Sequence, residues 1–241
     1  MELSRPFSAA KAVFFDYDNT LVDFQSSSIK ALDKVSAEIR DYLIDEAKED
    51  ISLSKIKQVV FDTSNKLDEE GVVDRNTWWS SSLDALGIKG VDRSQFYDWT
   101  NLYWSIASQS EPFPDALQFL DYLVNKRYVI GMITNSDGEG GNKKKRISKF
   151  PLYNVFNVVI IGGEDGIKPK PNIDPFIIAC EKASLSPDKC VMIGDDPVKD
   201  CLASKKAGYN AILVDRSNKV KFPELYADFV TYKLVDLEEL L

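Results

Sequence analysis

Five short apolar runs recur along the chain: AVFF at 12–15, YVIGMI at 128–133, VFNVVII at 155–161, CVMI at 190–193 and NAILV at 210–214. Each is closer to a continuous apolar stretch than to an alternation, as in strands buried on both faces. Segments with helical spacing lie between them. In PDALQFLDYLVNK, residues Leu117, Leu120, Leu123 and Val124 share one face, and Asp115 with Gln118 three positions later predicts the N-terminal cap. A glycine-rich turn and a basic helix separate the second run from the third. After the fourth, a helical pattern over Asp200–Ala207 stops at Gly208, a residue suited to ending a helix. Strands alternating with helices predict an α/β fold on a parallel sheet covered on both faces.

The interval between the first two runs is different in kind. In IKALDKVSAEIRDYLI, apolar residues recur at Ile29, Leu32, Val35, Ile39 and Leu43, a helical period. All four tryptophans, Trp78, Trp79, Trp99 and Trp104, fall in the same interval, which closes on the proline-containing joint EPFPD at 111–115. We read 23–110 as a separate helical domain inserted into an α/β core formed by 1–22 and 111–241. The tryptophans read as its own packed core in preference to a ligand pocket.

Composition removes several possibilities. No apolar run approaches the ~18 residues of a membrane span. The start, MELSRPFSAA, has neither a basic beginning nor a long apolar segment, so it reads as a short flexible arm, and the protein as cytoplasmic. Cys180, Cys190 and Cys201 form no CxxC pair and no even set, which predicts reduced, partly buried thiols. A formal charge of −8 argues against general affinity for nucleic acid. The KKKR cluster at 143–146 reads as a solvated helix face. The chain has no histidine, so a Ser-His-Asp triad, a Cys-His dyad and a histidine-ligated zinc site are all excluded. Acid-base work near neutral pH falls to other groups, and paired carboxylates are the first suspects.

In an open parallel sheet, ligands bind outside the carboxyl ends of the strands. The residues there form a pattern. The first run is followed by Asp16 and Asp18, the second by Thr134, Asn135 and Ser136, the third by Lys168 and Lys170 within GIKPKPNIDPF, and the fourth by GDDPVKD with Asp195, Asp196 and Asp200. Each motif alone has an ordinary reading as a turn or cap. Together they deliver several carboxylates, a hydroxyl and an ammonium to one edge of one sheet.

With these motifs the chain resembles the haloacid dehalogenase superfamily of phosphohydrolases, and FFDYDNTLVD with the overall layout resembles the subfamily containing N-acylneuraminate-9-phosphatase and phosphoglycolate phosphatase. The resemblance implies a Rossmann-like parallel-sheet core and a helical cap domain inserted after the first motif. It implies that Asp16 attacks phosphorus to form an aspartyl-phosphate, and that Asp18 protonates the leaving oxygen and later activates water. A Mg²⁺ ion would sit among Asp16, Asp195 and the backbone carbonyl of Asp18, since Mg²⁺ prefers oxygen ligands. Thr134 and the Asn135 amide would hold the phosphoryl oxygens, while Asp200 and Asp196 would act from behind the metal and the lysine. Two lysines are candidates for the remaining motif. Lys168 fits the local Lys-Pro-x-Pro pattern, whereas the spacing to the following helix favours Lys170.

The implied activity is a Mg²⁺-dependent phosphohydrolase acting on a small-molecule phosphate ester, with no nucleic-acid or membrane partner. A dehalogenase is disfavoured because those enzymes lack the second aspartate, present here as Asp18. A phosphosugar mutase and a non-catalytic phosphate-binding protein are the alternatives. The departure from the family pattern is SDGEGGNKKKRISKF, richer in glycine than the resemblance leads one to expect and read as a mobile loop at the rim of the active site.

Overall fold

Six parallel strands form one sheet, in the order β3-β2-β1-β4-β5-β6: β1 (Ala12–Phe15), β2 (Val129–Asn135), β3 (Val158–Gly162), β4 (Cys190–Gly194), β5 (Asn210–Val214) and β6 (Phe229–Thr231). The computed structural model describes residues 7–241. Its α-helices are α1 (Phe24–Tyr42), α2 (Leu53–Glu69), α3 (Arg75–Ala85), α4 (Arg93–Ala107), α5 (Pro114–Asn125), α6 (Lys143–Ile147), α7 (Asp174–Ala183) and α8 (Ala203–Lys206). The chain divides into two units. The sheet unit holds residues through Asp23, Glu111–Ser136 and Lys143–Leu241, and the helical unit holds Phe24–Ser110 and Asp137–Asn142.

The five apolar runs supply β1 to β5, and β6, at three residues, is too short for a hydrophobic pattern to mark. The third run starts late, because Tyr153–Val155 forms a 3₁₀ turn and pairing begins at Val158. Register brings Asp16, the last residues of β2 and Asp195 to one edge, although β2 runs three residues beyond its pairing with Phe15. Phe15 of β1 stands beside Met132 of β2 and Ile193 of β4, so the residues that follow these three central strands emerge together.

The sheet is covered on both faces, as near-continuous apolar strands require. On one face Phe14, Ile133, Ile160 and Met192 pack with Phe176 of α7 and Tyr209. On the other, the Phe15 ring meets Phe119 of α5 edge-on at 6.1 Å. Leu120 and Leu123 are buried on α5 as expected, together with Ala116 and Phe119, whereas Leu117 is half-buried and Val124 is exposed. Asp115 does not cap this helix. Phe113 precedes it with Pro114 in the first turn, and the Asp115 carboxylate instead pairs with Arg216 at 3.1 Å and accepts from the Leu234 N–H. At the other end of the chain, residues 1–6 of the expected arm lie outside the described residues. Phe7 is buried and packs edge-on against Phe229, so the arm is anchored from there onward.

The helical unit has its own core. Leu32, Val35 and Ile39 of α1, Ile56 and Val60 of α2, and all four tryptophans are buried in one cluster, while Ile29 faces solvent. One polar chain runs through this core: the Trp79 indole donates to the Thr100 hydroxyl at 2.8 Å, and that hydroxyl donates to Asn76 Oδ1 at 2.8 Å. Arg75 stacks on Trp78 with its guanidinium carbon 3.7 Å from the ring centroid. Ser52, Asp74 and Asp92 cap α2, α3 and α4, each side chain accepting a backbone N–H of its first turn.

Segment 137–142 was read as core from sequence but groups with the helical unit. Its glycines explain why. A Cβ on Gly138 would lie 2.8 Å from the Val73 carbonyl oxygen, one on Gly140 2.6 Å from Thr100 Cγ2, and one on Gly141 2.9 Å from the Trp104 ring. Close approach to the helices, rather than mobility, accounts for this run. No helix among the described residues is long and apolar enough to cross a membrane.

Gly131 in β2 faces Phe14 in β1, and a Cβ there would come 2.3 Å from that ring. Gly131→Ala should therefore lower stability by about 1–3 kcal/mol through overpacking, read as a fall in the urea midpoint at unchanged slope.

Candidate active site

The strand ends converge on one ammonium group. Lys170 Nζ donates to Asp16 Oδ1 at 2.7 Å, to Asp200 Oδ1 at 2.6 Å and to the Ile133 carbonyl at 2.7 Å. All three of its N–H donors are used, and its side chain is 3% exposed. Burial works against the charged form, but the adjacent Asp16 and Asp200 carboxylates outweigh it and raise the Lys170 pKa above the usual lysine value. Lys168, the other candidate, lies 69% exposed and pairs only loosely with Asp174 at 3.7 Å.

Backbone contacts set both partners in place. The Asp16 N–H donates to the Ile193 carbonyl at 2.9 Å, holding Asp16 just beyond the strand. Lys170 is held by Asn135, whose Nδ2 donates to the Lys170 carbonyl at 2.9 Å while its Oδ1 accepts the Lys170 N–H at 2.8 Å. Asn135, expected to hold phosphoryl oxygens, thus has Oδ1 and one of its two Nδ2 hydrogens engaged with the lysine backbone. Gly162 leaves the room this needs, since a Cβ there would come 2.8 Å from Asn135 Oδ1. Thr134 is buried beside it at the end of β2.

Asp16, Asp195 and Asp200 each place a carboxylate oxygen within 4.8 Å of the others. Burial, then Asp16, Asp200 and Asp196, raise the Asp195 pKa well above the usual carboxylate range. Three carboxylates against one ammonium leave an excess of two negative charges, which suits a divalent cation with oxygen ligands. The oxygens are not equally available. Asp200 accepts from Lys170 through Oδ1 and from the Asp196 N–H through Oδ2 at 3.0 Å. Its carboxylate also lies against Gly194, where a Cβ would be 2.2 Å from Oδ2. Asp200 thus holds the lysine and the loop, leaving Asp16 and Asp195 as the better metal donors. Asp196 caps the turn at 197–202, accepting from the Val198 and Lys199 N–H groups.

Asp18 is absent from the carboxylate cluster. Its Oδ2 is bound by Lys143 Nζ and its Oδ1 by Arg146 Nη2 at 2.5 Å, with Arg146 Nη1 3.3 Å from Oδ2. Burial opposes ionisation of Asp18, but the Arg146 and Lys143 charges outweigh it and hold its pKa well below the usual range. This corrects the reading of KKKR as a solvated face. Lys144 and Lys145 are exposed, but Lys143 and Arg146 are buried. Their spacing of three is the signal that could have separated them, since it puts both on one side of a helical turn.

Residues 10–208 match the model of the haloacid dehalogenase-like hydrolases. The chain belongs to that family. It is 26% identical to a glyceraldehyde 3-phosphate phosphatase from Methanothermobacter thermautotrophicus over 208 residues, 85% of each chain. It is 24% identical to the N-acylneuraminate-9-phosphatase of Mus musculus over 217 residues, 88% of this chain and 86% of that one. Among solved structures, the putative HAD-hydrolase YfnB from Bacillus subtilis, bound to magnesium, shares the fold with a TM-score of 0.72 at 19% identity. That match covers 96% of this chain and 98% of YfnB.

The two lysines should differ sharply in stability measurements. Lys170→Ala leaves Asp16 and Asp200 buried without their cation and should cost about 3–5 kcal/mol in metal-free buffer at neutral pH. Lys168→Ala should stay within about 0.5 kcal/mol of the parent, both read from urea unfolding.

Proposed function

We propose that the protein is a Mg²⁺-dependent phosphatase that cleaves the phosphate monoester of a small metabolite through an aspartyl-phosphate on Asp16. The observation that carries the reading is the grip of Lys170 on Asp16 Oδ1 inside the carboxylate cluster. With Oδ1 held, Oδ2 is the oxygen left to act as nucleophile. The relatives named as phosphatases of glyceraldehyde 3-phosphate and of N-acylneuraminate 9-phosphate support a small phosphorylated substrate.

Asp16 Oδ2 attacks phosphorus, the bond to the ester oxygen breaks, and that oxygen takes a proton; Asp18 can supply it only once protonated, against the Lys143 and Arg146 charges that hold it ionised in this structure. In the second half Asp18 takes a proton from the water that attacks the aspartyl-phosphate, which returns Asp16 and releases inorganic phosphate. The Thr134 hydroxyl would donate to the phosphoryl oxygens, and the Lys170 ammonium, its three N–H groups already used, would act on the developing charge through its field beside Asp16. Asp16, Asp195 and the main-chain carbonyl of Asp18 would hold Mg²⁺, which supplies positive charge between nucleophile and phosphate. The magnesium named for YfnB is consistent with that choice of ion.

Hydrolysis of 4-nitrophenyl phosphate should stop in EDTA and return with added Mg²⁺, and full activity of metal-stripped protein would overturn the metal reading. In rapid-quench labelling with a phosphorus-labelled substrate, Asp16→Asn should lose both the covalent label and turnover. Asp18→Asn should keep the capacity for labelling but turn over about 10²- to 10⁴-fold more slowly.

A further inference from the structure

We propose that Cys180 and Cys190 are a peroxide-sensitive dithiol, which oxidation converts to an intramolecular disulfide joining the last turn of α7 to the first residue of β4. The inference is independent of the phosphatase reading above.

The three cysteines are free and buried, and two of them are in contact. Cys180 Sγ and Cys190 Sγ lie 3.4 Å apart, ten positions from one another in sequence. The sulfurs of a disulfide stand about 2.05 Å apart, so closure asks for about 1.4 Å of sulfur movement. The chain between them is a surface connection. Helix α7 gives way at Ser184, which takes the left-handed conformation, and Ser184, Ser186 and Asp188 are exposed. Local opening of that connection brings a small oxidant to the buried pair.

Closing the bond strands no polar group. The Cys180 S–H donates to the Tyr209 hydroxyl at 3.0 Å, and that hydroxyl gives its own hydrogen to the Phe176 carbonyl at 2.7 Å. Oxidation removes the first contact and leaves the second. The Ser186 carbonyl, 3.6 Å from Cys190 Sγ, keeps the Lys189 N–H at 3.0 Å. With the Cys180 hydrogen directed to Tyr209, Cys190 is the donor between the two sulfurs. That hydrogen bond lowers the Cys180 pKa to about 7, against the effect of burial, and the same contact raises Cys190. Cys180 is therefore the attacking sulfur and Cys190 the resolving one.

The Cys180 thiolate attacks one oxygen of hydrogen peroxide, the O–O bond breaks, and hydroxide leaves and takes up the thiol proton to become water. Cys190 then attacks the sulfur of the resulting sulfenic acid. The S–S bond forms, the S–O bond breaks, and the hydroxyl departs with the Cys190 proton as a second water. Two thiols lose two electrons and two protons to one peroxide. Cys201, packed with Ala211, Leu213 and Ala227, is a control within the same chain.

The test exposes the folded, reduced protein to hydrogen peroxide, removes the excess with catalase and counts thiols in denaturant. The count should fall from three to one. A non-reducing digest should show the Cys180 and Cys190 peptides linked on a monomeric chain, with Cys201 still open to alkylation, and dithiothreitol should restore all three thiols. In Cys190→Ala, Cys180 should stop at the sulfenic acid and be trapped by dimedone. In Cys180→Ala, Cys190 should keep its thiol under the treatment that oxidises the parent. Because the bond closes a loop in the unfolded chain, the oxidised protein should unfold at a higher urea midpoint than the reduced one.

Retention of three thiols, a disulfide that involves Cys201, a link between two chains, sulfinic acid on Cys180 of the parent in place of the disulfide, or a lower urea midpoint after oxidation would each overturn the proposal. Circular dichroism checks the fold of both variants. If neither folds, the thiol count and the linked peptides of the parent carry the test alone.

Discussion

Concentrating negative charge at the carboxyl end of a parallel sheet is the constraint around which the sheet unit is arranged. Oxygens of Asp16, Asp195 and Asp200 lie within 4.8 Å of one another. At that separation each pair of unit charges repels by about 3 kcal/mol at an effective dielectric near 20. Burial and such repulsion push the Asp195 carboxyl well above the usual carboxylate range, and the repulsion is relieved by proton uptake or by a built-in cation. Lys170 supplies one, and its three hydrogen bonds fix two carboxylates and the end of β2 together. The Asn135 grip on its backbone, the absence of a Cβ at Gly162 and the packing of Asp200 on Gly194 follow from having to bring that one ammonium to one point.

The same constraint explains why the chemistry was readable along the chain. Apolar runs buried on both faces identify strands, and parallel strands in register put the residues after β1, β2 and β4 at one edge. Which motif follows which run is then enough to assemble Asp16, Thr134 and Asp195. The choice between Lys168 and Lys170 was open to sequence because both lie in one extended loop, and the lead taken from helix spacing agrees with the lysine that the structure brings to Asp16.

Other features depended on partners far away in sequence. Lys143 and Arg146 look solvated until Asp18, 125 and 128 positions earlier, is placed beside them. The glycines at 138, 140 and 141 suggest flexibility until Val73, Thr100 and Trp104 are seen occupying the space where side chains would stand. Asp115 has the composition of a helix cap, yet Arg216 from the far end of the chain binds it. In each case local propensity gave an ordinary answer, and a long-range contact replaced it.

A chain without histidine must obtain acid-base chemistry from side chains whose ordinary pKa values lie far from neutrality. The sheet unit has two carboxylates of the same type, two residues apart, and needs different behaviour from each. In the proposed mechanism the nucleophile needs one oxygen free, which the single contact from Lys170 to Asp16 Oδ1 allows. Asp18 is instead bound on both oxygens from a separate helix, by Lys143 and Arg146, whose charges hold it ionised. Environment rather than residue type then divides the labour, as it does wherever paired carboxylates carry distinct roles.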